Sequence, residues 1–414
     1  MLKILFLLPS QNKINNSEFF YLGSTKDISS RLNFFKEQNC AIFFLSPIRS
    51  LFSLVKNSRN FKKKDFDHVI VEHSPSILVQ IFIFFKFGKV IYRSHNAEAY
   101  HRFDMFQSYF DLYRHKIPFK RIRRFKFLNY YTVHMILIKL FFGIFRFLIR
   151  DLFTAVVSKK IIANCEWERD NYWSKFLSKK KCYYATPYLS KDYLDQINLY
   201  KTVMLNKKRD IVIIPGSSHP SQIAYHQTLC FINFLAEAIK EKSEIINKYK
   251  FVLTGRQSYE QLMFLKEKID LSKSNIYIYL DKDILGYREY FSYIDYLKIN
   301  IPDLKILNKK HYHSFYRLLA CSKFSLILSN KGYGFKNKSL EILMLKSKLI
   351  VPEKLYNRLP RQLKKVVIST EENNFNQIEK QLLNDNNTST NEENNINKIV
   401  EKDSYKQYKA AFNL

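Results

Sequence analysis

Short apolar runs alternate with longer stretches of helical apolar spacing along most of this chain. Lys3 to Leu8, Ala41 to Leu45, Asp67 to Glu72, Lys89 to Arg93 and Lys160 to Ala163 read as strands. Between them, Ser24 to Gln38 places Ile28, Leu32 and Phe35 on one side of an expected helix. Pro75 to Phe85 predicts another, and a further helix runs through Trp167 and Trp173. A second series starts near Arg209. Asp210 to Ile214, Tyr249 to Thr254, Asn275 to Leu280, Phe324 to Leu328 and Leu349 to Val351 are its strands, and apolar spacing from Ile223 to Ile239 predicts a long helix. Alternation of this kind implies parallel sheets covered by helices on both faces.

The pattern divides the chain into two α/β domains, residues 1–200 and residues 201–400. Tyr188 to Lys208 reads as the linker between them. The Asn-rich stretch Glu371 to Asn397 reads as a surface loop or mobile segment. A short last helix, Ser404 to Phe412 within 401–414, is expected to cross back.

The span 112–150 breaks the alternation. It carries ten Lys or Arg and no Asp or Glu, seven of them between Arg114 and Lys126. Its second part, Met135 to Ile149, is nearly continuously apolar, with Lys139, Gly143, Arg146 and Arg150 three or four residues apart. The uninterrupted apolar stretches fall well short of the roughly 20 residues a membrane span requires. A basic amphipathic helix at an anionic membrane surface is one reading. A core helix with snorkelling cations is the other.

Composition adds limited information. The chain has 414 residues, 46% of them hydrophobic, and a formal net charge of +31. Its richness in Lys, Asn, Ile, Phe and Tyr is what AT-rich coding yields, so the charge alone does not select a partner. The basic span lacks the aromatic–glycine signatures of RNA modules, which ranks nucleic acid low. The five cysteines are widely spaced, with no CxxC. Together with an opening Met-Leu-Lys-Ile-Leu-Phe-Leu-Leu-Pro that reads as a strand, they point to a cytoplasmic protein. The membrane reading of the basic span would place it peripherally on the inner face of the plasma membrane.

The chemistry concentrates after Phe324 to Leu328. The loop that follows holds two of only eight glycines, Gly332 and Gly334, then Lys336 and Lys338, then a helical pattern with Glu341 in its first turn. Glycines admit close backbone approach, and a helix start offers free N–H groups and positive dipole, a combination suited to phosphate. Glu341 is also simply an acid where the dipole favours one, and the lysines are also plain surface charge.

The segment Gly332-x-Gly334-Phe335-Lys336-x-Lys338, with Leu340-Glu341 and then Ser347-Lys348-Leu349-Ile350-Val351, resembles retaining GT-B glycosyltransferases of the family 4 type. Weaker likenesses cover much of the chain: Arg93-Ser94-His95-Asn96-x-Glu98 is similar to the acceptor-side loop, Pro215-Gly216-Ser217 to the first donor loop, and Thr254-Gly255 to the second. The resemblance implies two Rossmann-like domains facing a cleft, 1–200 for the acceptor and 201–400 for the nucleotide sugar, with a nucleoside-diphosphate sugar as donor and a glycan or lipid-linked acceptor in cell-surface polysaccharide or lipopolysaccharide synthesis. Gly216, Ser217, Gly255, Arg256, Gly332, Gly334, Phe335, Lys336, Lys338 and Glu341 would bind the donor, with Glu341 on the ribose. His95 and Glu98 would be catalytic, and Arg93, Asn96 and Gly23 would meet the acceptor. No cofactor and no metal is expected.

The sequence departs from the family at four places. Tyr333 stands where an acid is common, Ser217-Ser218-His219 where Arg and Lys are frequent, Ser347-Lys348-Leu349 in place of Gly-Lys-Pro, and Gly23 alone where two glycines are usual. Three alternatives therefore stay open: an inverting transferase, a sugar-nucleotide epimerase, and a degenerate non-catalytic binder.

Overall fold

The computed structural model describes residues 1–8, 23–46, 48, 50–94, 97–114, 133–204, 209–216, 222–254, 259–271, 274–280, 294–295, 297–299, 301–307, 314–331, 337–384 and 391–414. Two parallel sheets organise them. The first has strands β1 (Lys3–Leu7), β2 (Ala41–Leu45), β3 (His68–Glu72), β4 (Val90–Arg93), β5 (Ser158–Ala163) and β6 (Cys182–Tyr184), in the order β2-β1-β3-β4-β5-β6. The second has β7 (Arg209–Ile214), β8 (Lys250–Leu253), β9 (Ile276–Tyr279), β10 (Lys305–Leu307), β11 (Ser322–Leu326), β12 (Lys348–Pro352) and β13 (Val367–Thr370), in the order β10-β9-β8-β7-β11-β12-β13.

Each sheet is sandwiched between helices, which is why its central strands are apolar on both faces. In the first, helices Leu51–Asn57, Ile77–Phe87 and Val133–Val157 cover one face through Leu54, Val79, Ile83, Phe87 and Ala155. Helix Gly23–Glu37 covers the other with Ile28, Phe34 and Phe35. In the second, helix Gln222–Lys240 lies on one face, and helices Phe315–Cys321 and Asn337–Met344 lie on the opposite face.

Strand order reverses direction at one point in each sheet, between β1 and β3 in the first and between β7 and β11 in the second. In open α/β sheets the crevice beyond the strand ends at such a point receives ligands.

Three expectations need correction. The segment expected to be a linker contains the helix Lys191–Met204. Tyr188, Leu189, Tyr193 and Ile197 are buried in the second core, so apolar spacing outweighed polar composition there. The Asn-rich stretch holds the helix Phe375–Leu383, capped by the Asn374 side chain, which accepts from Gln377 N. The last helix is also far longer than expected, Asn391–Phe412. It buries Ile396 and Val400 in the second core and Tyr408, Ala411 and Phe412 in the first, so it does cross back. Asn397 fixes its course by bonding both the N–H and the carbonyl of Leu189, at 2.8 and 3.1 Å.

The five cysteines are free thiols. Among the described residues no helix is long and apolar enough to cross a membrane.

Candidate functional site

The β7/β11 switch point is where the described donor-side residues meet. β7 ends at Ile214 and leads through Pro215 to Gly216, while helix Asn337–Met344 begins beyond β11. The Lys338 ammonium donates to the Gly216 carbonyl, so the start of that helix is tied to the chain just beyond β7. Burial pushes the Lys338 pKa down to about 8. The neighbouring Ser339 is fully buried, and its hydroxyl has no partner among the described residues. Glu341 lies one turn further on, 2% exposed, and its Oε1 accepts from the Tyr316 hydroxyl at 3.3 Å.

The N-terminal end of a helix carrying a half-buried cation, a hydroxyl with no partner among the described residues and a held carboxylate can bind a ligand that is anionic at one end and rich in hydroxyls at the other. Gly332, Gly334, Phe335, Lys336, Ser217, Gly255 and Arg256 lie outside the described residues, as does Tyr333.

On the first sheet, Gly23 opens the helix Gly23–Glu37 that follows β1 at its switch point. His95 and Asn96 lie outside the described residues. Glu98 begins the helix Glu98–Arg114, and its carboxylate is 3.9 Å from Arg150. His73, just after β3, has φ 63, a left-handed conformation that costs energy for a residue with a Cβ.

Arg93 does not face an acceptor. It is fully buried, and Nη2 donates to Asp27 Oδ1 at 2.9 Å, Asn164 Oδ1 at 2.7 Å and the Ala185 carbonyl at 2.9 Å. Nη1 donates to the Ala163 carbonyl at 2.6 Å. Asp27 also pairs with Arg31, whose Nε donates to Glu72 Oε1 at 3.0 Å. Burial opposes the charge on Arg31, yet Asp27 and Glu72 hold its pKa above the ordinary value. These four charges join the ends of β3 and β4 to the first helix, and their hydrogen bonds are directed into the protein.

A feature with no signal in the pattern is the way Glu98–Arg114 crosses between the sheets. Its Asp104 lies 3.3 Å from Arg358 and 3.5 Å from Lys354, and its Gln107 accepts from Lys331 at 3.1 Å. Asp111 lies 3.4 Å from His226 and 3.6 Å from Lys331. Lys331 stands between β11 and the glycine loop, so this helix braces the donor side. On the second domain, His226, Gln227 and Thr228 are buried polar residues within the helix Gln222–Lys240.

A groove of 590 Å³ opens at the ends of β11, β12 and β13, between helices Gln222–Lys240 and Phe375–Leu383. Asn233, Glu237, Glu371 and Asn374 line it with Phe234 and Phe375, and none of the expected site residues is among them. No group of three His, Cys, Asp or Glu among the described residues could hold a metal ion.

No family profile matches the sequence, and no curated protein matches it. Solved structures do match in fold. An α-glucosyltransferase in complex with UDP and a 13-mer DNA containing an HMU base aligns over 98% of this chain and 95% of its own, at 11% identity and TM-score 0.52. Anabaena Alr3699/HepE in complex with UDP aligns over 97% and 95%, at 10% identity and TM-score 0.49. The UDP-GlcNAc 2-epimerase of Methanocaldococcus jannaschii aligns over 97% and 99%, at 13% identity and TM-score 0.46. At such identities the likeness is one of fold, and the fold is GT-B: two parallel-sheet α/β domains with a C-terminal helix returning to the first.

Proposed function

We propose that this chain transfers a sugar from a nucleoside-diphosphate sugar to a glycan or lipid-linked acceptor, with retention at the anomeric carbon, in cell-surface polysaccharide synthesis. One observation carries the reading. Lys338, the unsatisfied Ser339 hydroxyl and Glu341 share one end of a helix at the β7/β11 switch point, in a GT-B fold.

The leaving nucleoside diphosphate gains negative charge as the glycosidic bond breaks, and fixed donors lower that barrier. Lys338 supplies a positive charge, the Ser339 hydroxyl and the helix N–H groups supply hydrogen bonds, and Glu341 accepts from the ribose hydroxyls. Gly216 brings the first donor loop against them. Lys336, Gly332, Gly334, Phe335, Ser217, Gly255 and Arg256 complete this side in the proposal. His95, Asn96 and Glu98 are assigned to the transferred sugar and the acceptor in the proposal. No metal is assigned to the reaction, since a lysine and backbone donors neutralise the diphosphate.

A thermal-shift screen of the purified chain against common nucleotide sugars is the test, because a ligand bound to the folded state raises its melting temperature. The expected result is a shift with at least one nucleoside-diphosphate sugar, and hydrolysis or transfer of that sugar with its anomeric configuration retained. A folded protein that neither binds nor turns over any of them would overturn the reading.

A further inference from the structure

We propose that the outer face of the three helices Leu51–Asn57, Ile77–Phe87 and Val133–Val157 docks on an anionic lipid bilayer. All three lie on one face of the first sheet, and each contacts the next. With their inner residues already spent on the core, their outer residues are still apolar. Phe52 and Phe85 are each 81% exposed, Val156 70%, Phe142 66% and Leu78 65%. In the longest helix Ile138, Phe142, Phe145, Ile149, Leu152 and Val156 recur every three or four residues, so they form one stripe. An exposed apolar surface spread over three adjacent helices is far more than the scattered apolar residues of an ordinary surface.

Charge selects the occupant. Lys56, Lys139 and Arg146 are exposed on these helices. The helices contain a single acid, Asp151, and it is fully buried, bonded to the Tyr172 hydroxyl at 2.5 Å. The outer face therefore offers aromatic and aliphatic side chains interleaved with cations and no carboxylate. Seven further cations lie in sequence between Arg114 and Lys126, just ahead of the longest helix. That composition matches the headgroup boundary of an anionic bilayer, where apolar side chains enter about 5–10 Å while lysine and arginine meet phosphate. A second copy of this chain fits worse. A twofold contact would set the same cations against one another, with no exposed carboxylate on these helices to offset them.

The inference rests on the composition of this surface and is independent of the nucleotide-sugar reading. Its test is co-sedimentation of the full chain with vesicles of phosphatidylcholine alone or mixed with phosphatidylglycerol. Partition should be roughly tenfold stronger with the anionic vesicles and should fall as salt rises. Phe85→Asn with Phe142→Asn, and separately Lys139→Glu with Arg146→Glu, should each lower it by roughly tenfold at an unchanged melting temperature. Ile239→Ser, at an exposed apolar position on the second domain, should leave it unchanged. Equal or absent partition to both vesicle types overturns the proposal. So does a concentration-dependent dimer that the Phe85→Asn, Phe142→Asn pair dissolves while vesicle binding stays absent.

Discussion

His226 Nε2 lies 3.4 Å from Asp111 Oδ2, so one imidazole from the second domain meets a carboxylate carried across by a helix of the first. The opposite ring nitrogen, Nδ1, is 2.8 Å from the Ser329 hydroxyl and 3.5 Å from the Cys230 sulfur. Lys331 stands 3.6 Å from the same Asp111 oxygen. Burial first, and the Lys331 charge second, lower the His226 pKa to about 4 against the opposing pull of Asp111 and Asp104.

That shift makes the junction acid-sensitive. In the unfolded chain the imidazole titrates near 6.5, so the unfolded state takes up a proton before the folded state does. The neutral ring's advantage is complete above pH 6.5 and is lost as pH falls toward 4, by at most about 3 kcal/mol. Melting temperatures of the native chain and of His226→Gln should converge as pH drops from 7 to 4.5. A native-minus-variant difference that holds constant over that range would rule the assignment out.

Lys338 makes the opposite demand on pH. Its ammonium is held at about 8 by burial against the Gly216 carbonyl, so part of the population is neutral at pH 8 and most is neutral at pH 9. A diphosphate beside it favours the charged form, so binding takes up a proton. Affinity for the nucleoside diphosphate of whichever donor the thermal-shift screen identifies, measured by calorimetry, should weaken from pH 7 to 9, by roughly tenfold if the lysine carries one strong charge-assisted contact. Lys338→Met should bind weakly at both pH values with a flat profile. An unchanged slope in the variant would remove Lys338 from the donor site.

How far the pattern alone could reach is clearest from individual elements. β1, β7 and β12 were legible because strands covered on both faces are nearly unbroken apolar runs. β6, β10 and β13 were not: each is a short strand at a sheet edge with partly exposed positions, so it shows no unbroken apolar run. Phe375–Leu383 was hidden by asparagines, although Phe375, Ile378 and Leu382 carry its buried stripe. At the site, Lys338 and Glu341 could be paired because they share a helix. Arg93 was misread because its partners Asp27, Asn164 and Ala185 lie 66, 71 and 92 residues away. A charge at the end of an apolar strand looks the same whether it faces a ligand or a distant counter-ion.

The buried quartet around Arg93 gives a stability prediction. Arg93→Leu removes one of the two counter-charges of Asp27, leaving Arg31 to face both Asp27 and Glu72, and takes its hydrogen bonds from the carbonyls of Ala163 and Ala185. Loss of one partner from a buried pair costs about 3–5 kcal/mol, mainly through the charge left behind. Arg93→Lys should recover little, because an ammonium cannot reach the same four acceptors. The urea midpoint should fall for both variants at an unchanged denaturant slope. A loss under about 1 kcal/mol for Arg93→Leu would mean that the quartet contributes no net stability.

Tyr316 and Glu341 separate a positioning effect from a direct contact. The Tyr316 hydroxyl donates to Glu341 Oε1 at 3.3 Å, and both side chains are buried. If Glu341 accepts from the donor ribose, Glu341→Gln keeps shape but replaces one acceptor oxygen with a donor, so a ribose hydroxyl meets a mismatched group. The Kd for the nucleoside diphosphate of the identified donor should rise about tenfold or more. Tyr316→Phe leaves the carboxylate in place with one hydrogen bond fewer, an effect of about 1 kcal/mol or a few-fold in Kd. The double variant should be no weaker than Glu341→Gln alone, because the tyrosine acts on ligand only through the carboxylate. Additive losses would show that Tyr316 acts independently of Glu341. Unchanged affinity for that nucleoside diphosphate in Glu341→Gln, with the protein folded, would reduce the glutamate to an acid resting near a helix start.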